Sequence, residues 1–213
     1  MSRLIRKQHV LNLLPAAVVQ TRGPRRDSVR YLSFDDGPNP DYTASVLDLL
    51  ARHDARATFF LVGQNAERYP ELVTRMVAEG HRLGNHSYSH AIFSEIPRSA
   101  QIAEIERTDK ILATFDGCRF HPFRPPRGVF SPGLLMRLML ARRRLTYWSY
   151  DSLDYRKQPL HELVQTLRER PPRCGDIVLL HDDNERAPQI LEALLPEWTA
   201  AGFSFAPLPA ETG

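Results

Sequence analysis

Val29-Arg30-Tyr31-Leu32-Ser33-Phe34-Asp35-Asp36-Gly37-Pro38 is the stretch on which the fold assignment turns. Apolar and polar residues alternate from Val29 to Phe34, then two aspartates and a Gly-Pro turn follow, as where a strand runs out into a loop. Strand-like and helix-like segments alternate from there to the C-terminus. The spacing predicts a helix over Thr43–His53, a buried strand over Ala57–Val62, a helix over Pro70–Glu79 stopped by Gly80, and a strand over Arg82–Asn85. Further on it predicts helices over Ser99–Phe115, Pro132–Arg143, Leu160–Glu169 and Pro188–Ala200. Strands are predicted over Arg119–Arg124, Tyr147–Tyr150, Ile177–Leu180 and Phe203–Phe205. This is the pattern of an α/β domain with a parallel sheet or barrel, a class in which catalytic groups collect at the carboxyl ends of the strands.

The 213 residues, 42% of them hydrophobic, suffice for one domain with a real core, and no repeat or long linker argues for a second. The formal charge of +3 comes from 28 basic and 25 acidic residues that are interspersed, which argues against a nucleic-acid partner. No obligate protein partner is implied. The lysines are Lys7, Lys110 and Lys157, so positive charge is carried mostly by guanidinium groups, which suit carboxylate or phosphate recognition. Cys118 and Cys174 have no Cys-x-x-Cys or Cys-His context and are expected as reduced core thiols.

Ahead of the domain, at 29–213, residues 1–28 form a separate segment. Arg3, Arg6 and Lys7 precede an apolar run from Val10 to Val19, but Asn12 and Pro15 interrupt it and no small-residue cleavage site follows. The expectation is a retained N-terminal helix that touches a membrane surface at most, in a cytoplasmic protein, since spanning a bilayer takes about 20 apolar residues.

Five clusters carry chemistry. Asp35-Asp36 at a strand end reads either as a capping turn or as two carboxylates that divide labour, one on a metal and one free as a base. His86-Ser87-Tyr88-Ser89-His90 puts two imidazoles on one face if the segment is helical; with Asp36 they make a three-ligand set that leaves a position open for water. Arg124-Pro125-Pro126-Arg127-Gly128 is a rigid turn that could aim Arg124 at Asp35 and expose amide donors beyond the prolines. Trp148 to Tyr155 holds Asp151 and Asp154 in an acidic turn after a strand, and Gly175 to Asp182 delivers His181 to the same edge. Taken singly, each has an ordinary structural explanation.

In this order, the five motifs resemble the polysaccharide deacetylase family, also called carbohydrate esterase family 4 or the NodB homology domain, and the similarity runs over about residues 29 to 208. Thr58-Phe59-Phe60 and Ala78-Glu79-Gly80-His81 fit the same pattern, and the short chitooligosaccharide deacetylases are the most similar branch. The resemblance implies a single-domain distorted (β/α) barrel and metal-dependent hydrolysis of an N-acyl group, acetyl first, from an aminosugar-containing oligosaccharide or glycan. It implies one divalent ion on Asp36, His86 and His90, zinc first, with cobalt, nickel or manganese as alternatives. Asp35 is then the general base oriented by Arg124. His181 is the general acid, tuned by Asp154 with Asp151 in reserve. Leu179 lines the pocket for the acetyl methyl, and the N–H of Arg127 serves the oxyanion.

Two departures concern the sugar groove: Arg127 stands where the family usually has an aromatic residue and Tyr155 where it usually has tryptophan. An arginine there favours an anionic sugar or a phosphate-bearing carrier. The alternatives are a deformylase or deacetylase of a lipid-linked aminosugar, and an inactive carbohydrate-binding member of the fold.

Overall fold

In a computed structural model of the chain, residues 11, 14–16, 18–26 and 28–210 are described. The expected N-terminal helix falls mainly outside them. Strands β1 (Val19–Gln20), β2 (Val29–Asp35), β3 (Ala57–Leu61), β4 (Arg82–Asn85), β5 (Leu145–Thr146), β6 (Tyr150–Asp151), β7 (Ile177–His181) and β8 (Ser204–Phe205) alternate with helices. The helices are α1 (Thr43–Arg52), α2 (Gly63–Arg68), α3 (Pro70–Ala78), α4 (Arg98–Asp116), α5 (Pro132–Leu140), α6 (Leu160–Glu169) and α7 (Arg186–Ala200). The sheet runs β4-β3-β2-β7-β6, with β8 added beside the start of β2, and every pairing between these strands is parallel.

The sheet curls because its pairings return on themselves. Asn85 at the end of β4 bridges to Phe123, Phe123 bridges to Leu145, and the chain leading on from Leu145 reaches β7 through β6. The result is a distorted barrel whose far wall is made of single bridges rather than full ladders. Two expected strands are reduced for this reason: Arg119–Arg124 keeps one bridge at Phe123, and of Tyr147–Tyr150 only Tyr150 lies in a strand, β6, with β5 ending just before Tyr147.

Alternation along the strands sorts the core into two layers. Leu32 and Phe34 of β2, Phe59 and Leu61 of β3, and Val178 and Leu180 of β7 pack outward against the helices. Tyr31, Phe60, Phe123, Leu145, Ile177 and Leu179 pack in an inner cluster with Tyr147 and Trp148. Ser33 and Asp35 share the inward face of β2 by the same period of two, so polar groups enter the barrel at its carboxyl end.

The stretch before residue 29 is stitched to this body. β1 pairs with β5, Arg22 is paired with Asp176 at 2.6 Å, and Leu11 and Val19 join the inner cluster. Both cysteines are free, but Cys118 is exposed and Cys174 only partly buried, so neither is a core thiol. Among the described residues no helix is long and apolar enough to cross a membrane.

Candidate active site

The ends of β2, β4 and β7 define the site. Asp35 and His181 are register partners on adjacent strands, and His86 follows the last residue of β4. Asp36 adopts a left-handed φ of 76°, which turns its carboxylate away from that of Asp35. Consecutive aspartates thereby take different principal partners, with His86 Nε2 between them at 3.4 Å from Asp36 Oδ1 and 3.7 Å from Asp35 Oδ2.

Asp36 faces the two histidines. Its Oδ1 lies 3.4 Å from His86 Nε2 and 3.2 Å from His90 Nε2, and donor atoms of the three residues all fall within 4.8 Å of one another. That oxygen is buried without a hydrogen-bond partner. An orphaned carboxylate oxygen aimed at two ring nitrogens is what a cation would satisfy, so the residues present fit a divalent metal. His86 Nδ1 lies 2.7 Å from the Arg124 carbonyl, which keeps the proton on Nδ1 and the Nε2 lone pair turned towards Asp36. Burial pushes the His86 imidazole down to about 3, so it stays neutral.

The helical premise for the pair does not hold. Residues 86–90 form a loop in which Ser87 and His90 take positive φ of 67° and 54°. Ser87 N–H donates to the Asn85 side chain, itself anchored on the Ile105 carbonyl and Asp109, and Glu104 receives the Ser89 N–H. Local side-chain bonds to the backbone thus bring the imidazoles together where an i,i+4 repeat was expected to.

Asp35 faces inward onto Arg124, which has no solvent exposure. Nη1 of Arg124 donates to Asp35 Oδ1 at 2.6 Å and to Ser33 Oγ at 3.0 Å, while Nη2 donates to the Tyr147 carbonyl at 3.0 Å. The guanidinium also lies 3.9 Å over the Phe60 ring. Burial raises the Asp35 pKa, and the charge of Arg124 works against that rise without cancelling it.

His181 is held by Asp154, the buried neighbour expected for it. One oxygen of Asp154 accepts the His181 N–H at 2.7 Å and the other lies 2.9 Å from Nδ1. Burial opposes charge on this imidazole, yet Asp154, with Asp35 and Asp36 beyond it, pushes His181 up to about 10. Asp151, the reserve, is spent elsewhere: it accepts the Leu153 N–H and the Tyr155 hydroxyl and so closes the turn.

A cavity of about 690 Å³ takes in every site residue expected from sequence except Arg124, which lies beneath Asp35. Leu179 points into it from β7, and Tyr155 stands edge-on to His181 with ring centroids 5.7 Å apart. Arg127 holds a left-handed φ of 55°, and the Gly128 and Val129 amides close the turn on Pro125 and Pro126. Gly128, at φ 61°, has no room for a side chain, since a Cβ would strike Tyr147 and Trp148. Gly37 is tight for a different reason: a Cβ would meet the buried carboxylate of Asp182, which burial pushes up to about 7 and which accepts from Thr43 Oγ1 at 2.5 Å.

Sequence reasoning missed Ser33, Trp148, Arg156, Lys157 and Arg186. Ser33 was legible in the two-residue period that puts it beside Asp35. Arg156 and Lys157 follow Asp154-Tyr155 directly, and the basic run marks them. Trp148 opens the fourth motif but has no role assigned to it there, and for Arg186 the chain carries no local signal.

A sequence profile described as polysaccharide deacetylase matches residues 22–141. The chain is 32% identical over 215 residues to a peptidoglycan-N-acetylglucosamine deacetylase of Bacillus cereus, covering 95% of this chain and 94% of that protein. It is 37% identical over 155 residues to a chitooligosaccharide deacetylase of Sinorhizobium fredii, covering 71% of each. Among solved structures, a peptidoglycan N-acetylglucosamine deacetylase in complex with 4-naphthalen-1-yl-N-oxidanyl-benzamide superposes with a TM-score of 0.83 at 28% identity, over 90% of this chain and 91% of that one. With the profile, the full-length relative and the fold in agreement, this chain belongs to the polysaccharide deacetylase family.

Proposed function

We propose that the chain hydrolyses the N-acetyl group of an aminosugar within a glycan, releasing acetate and leaving a free amine. The observation that carries this reading is the meeting, in one cavity, of a buried carboxylate, an Asp-His-His set whose Asp36 Oδ1 has no hydrogen-bond partner, and a carboxylate-bound histidine. Asp36, His86 and His90 would hold a divalent ion, with zinc favoured by two imidazoles and one carboxylate, and with cobalt, nickel or manganese as substitutes. When bound, it supplies Lewis-acid polarisation of the amide carbonyl and acidifies water.

The remaining chemistry belongs to the protein. Asp35 takes the proton of the attacking water, and Arg124 keeps the carboxylate in place from below. The left-handed turn at Arg127 presents its N–H to the oxygen on which negative charge develops. The C–N bond then breaks as His181 donates its proton to the departing nitrogen, which leaves as a neutral amine. Asp154 keeps that proton available at neutral pH. Leu179 packs the acetyl methyl, and Tyr155 flanks the ring.

The test is release of acetate or formate from N-acetylglucosamine oligomers and from lipid-linked aminosugars, with the protein loaded in turn with each metal. Chelation should abolish it. No release from any substrate by fully loaded protein would sink the reading.

A further inference from the structure

Four cations stand around the mouth of the cavity. Arg127 comes from the turn after Arg124, Arg156 and Lys157 from the turn after β6, and Arg186 opens α7. Arginines elsewhere, Arg22, Arg56, Arg75, Arg107, Arg124, Arg143 and Arg168 among them, are paired with carboxylates, whereas Arg156 is bonded to the neutral Tyr155 hydroxyl. Moreover, Nη1 of Arg186 is buried with no hydrogen-bond partner. A buried guanidinium nitrogen left without an acceptor is costly unless a ligand supplies one.

Asp35, Asp36 and Asp154 line the same cavity in their site roles, and against the four cations stand two further acids, Asp183 and Glu185. Both sit on the loop that carries Arg186, while the turn at 151–157 directs its own acids inward, Asp154 onto His181 and Asp151 onto Tyr155. Arg156 and Lys157 therefore ride on a turn already fixed by the residues that hold His181. Over the whole chain 28 basic residues face 25 acidic ones, so the concentration of positive charge at this mouth is local.

From this arrangement we infer that the mouth is a subsite for a negatively charged substituent, a carboxylate or a phosphate, carried by the deacylated aminosugar or by its neighbour in the glycan. Guanidinium groups bind either anion in pairs of parallel hydrogen bonds, and an amine freed beside that anion leaves a zwitterionic product. The inference rests on the deacetylase reading and narrows its substrate class.

The experiment measures kcat/KM for three probes: a neutral N-acetylglucosamine oligomer, an oligomer of the same length with lactyl-ether carboxylates on alternate sugars, and N-acetylglucosamine 1-phosphate. Binding of each to metal-loaded Asp35→Asn protein is measured by calorimetry, so that affinity is read without turnover. At low ionic strength an anionic probe should be preferred over its neutral counterpart by about 10- to 100-fold, the preference fading as salt is added. The triple variant Arg127→Gln, Arg156→Gln, Lys157→Gln should reduce the preference to a few-fold; if it does not fold, Arg156→Gln and Lys157→Gln singly should each lower it. Whichever of the carboxylate and phosphate arms carries the preference identifies the source of the anion. Equal handling of neutral and anionic probes, or a preference the variants leave intact, would overturn the inference while the deacetylase reading stands. Failure to release acetate from any probe would count against that reading, and the calorimetric comparison would still decide whether the mouth takes anions.

Discussion

Two carboxylate–cation pairs lie side by side at the ends of β2 and β7, and they are built in opposite senses. In Asp35–Arg124 the cation has no exposure and cannot titrate, so the carboxylate is the group whose proton affinity is adjusted. In Asp154–His181 the carboxylate is fully buried and the cation, its side chain 16% exposed, is the group adjusted. One pair yields a base held open by a permanent charge, the other an acid kept loaded by one. The same contact serves both proton transfers because what matters is which partner meets the cavity.

The largest expected effect comes from Arg124→Ala, which leaves Asp35 buried without a counter-charge. Loss of one partner of a buried pair costs about 3–5 kcal/mol, which denaturant unfolding would register. The same change should raise the Asp35 pKa further and move the acidic limb of kcat/KM to higher pH. Undiminished stability would mean that the guanidinium does not carry this pair.

Asp35→Asn comes next, because it retains an acceptor for Arg124 and removes only the base. Turnover should drop about 10²- to 10⁴-fold, with metal content by equilibrium dialysis unchanged. A variant within a few-fold of the parent would reassign the base.

Asp154→Asn tests the other pair. It should lower the His181 pKa from about 10 towards 6.5 and bring the basic limb of the rate profile down with it. The sign for stability follows from the same shift: the raised pKa contributes stability present in full below 6.5 and lost as pH climbs through about 10. In metal-depleted protein, parent and variant should therefore differ most in unfolding free energy below pH 6.5 and least above pH 10. A gap that widened with pH would contradict the pairing.

The smallest effect is reserved for Asp151→Asn, which removes part of a turn cap and should cost about 1 kcal/mol or less. If it crippled turnover as Asp154→Asn does, the roles of the two acids in that turn would have to be exchanged.

How much of this could be read from the chain depended on whether the cause was local. The helices Thr43–Arg52 and Leu160–Glu169 and the strand Ile177–His181 stand almost where apolar pattern predicts them, because each carries its own pattern: a buried stripe on either helix and an unbroken apolar run in the strand. The short helix Gly63–Arg68 escaped notice, since Gly-Gln-Asn opens it without a cap and its entry is shaped by Thr108 and Tyr88 packed close to Gly63. Phe123 gives no sign that it would serve as a one-residue strand, for its pairing is decided by partners in β4 and β5. At the site, residue identities and order were legible. What was not is the geometry that assembles them: left-handed turns at Asp36, Ser87 and His90. The preference for Asp154 over Asp151, drawn from the resemblance, agrees with the hydrogen bond from Asp154 to His181.

The central place of β2 between β3 and β7 bears on how the molecule comes into being. Ser33 and Val178 meet across 145 residues, and Asp35 reaches Arg124 across 89, whereas Asp154 finds His181 across only 27. Closing loops of such unequal length takes unequal time, and the longest of these three closures sits in the middle of the sheet. On the ribosome, β2 emerges early and must wait with one edge unpaired until nearly the whole chain has followed. The acid side of the cavity is thus quick to assemble and the base side slow, and pulse-labelled hydrogen exchange during refolding should find the β2 amides protected no sooner than those of β7.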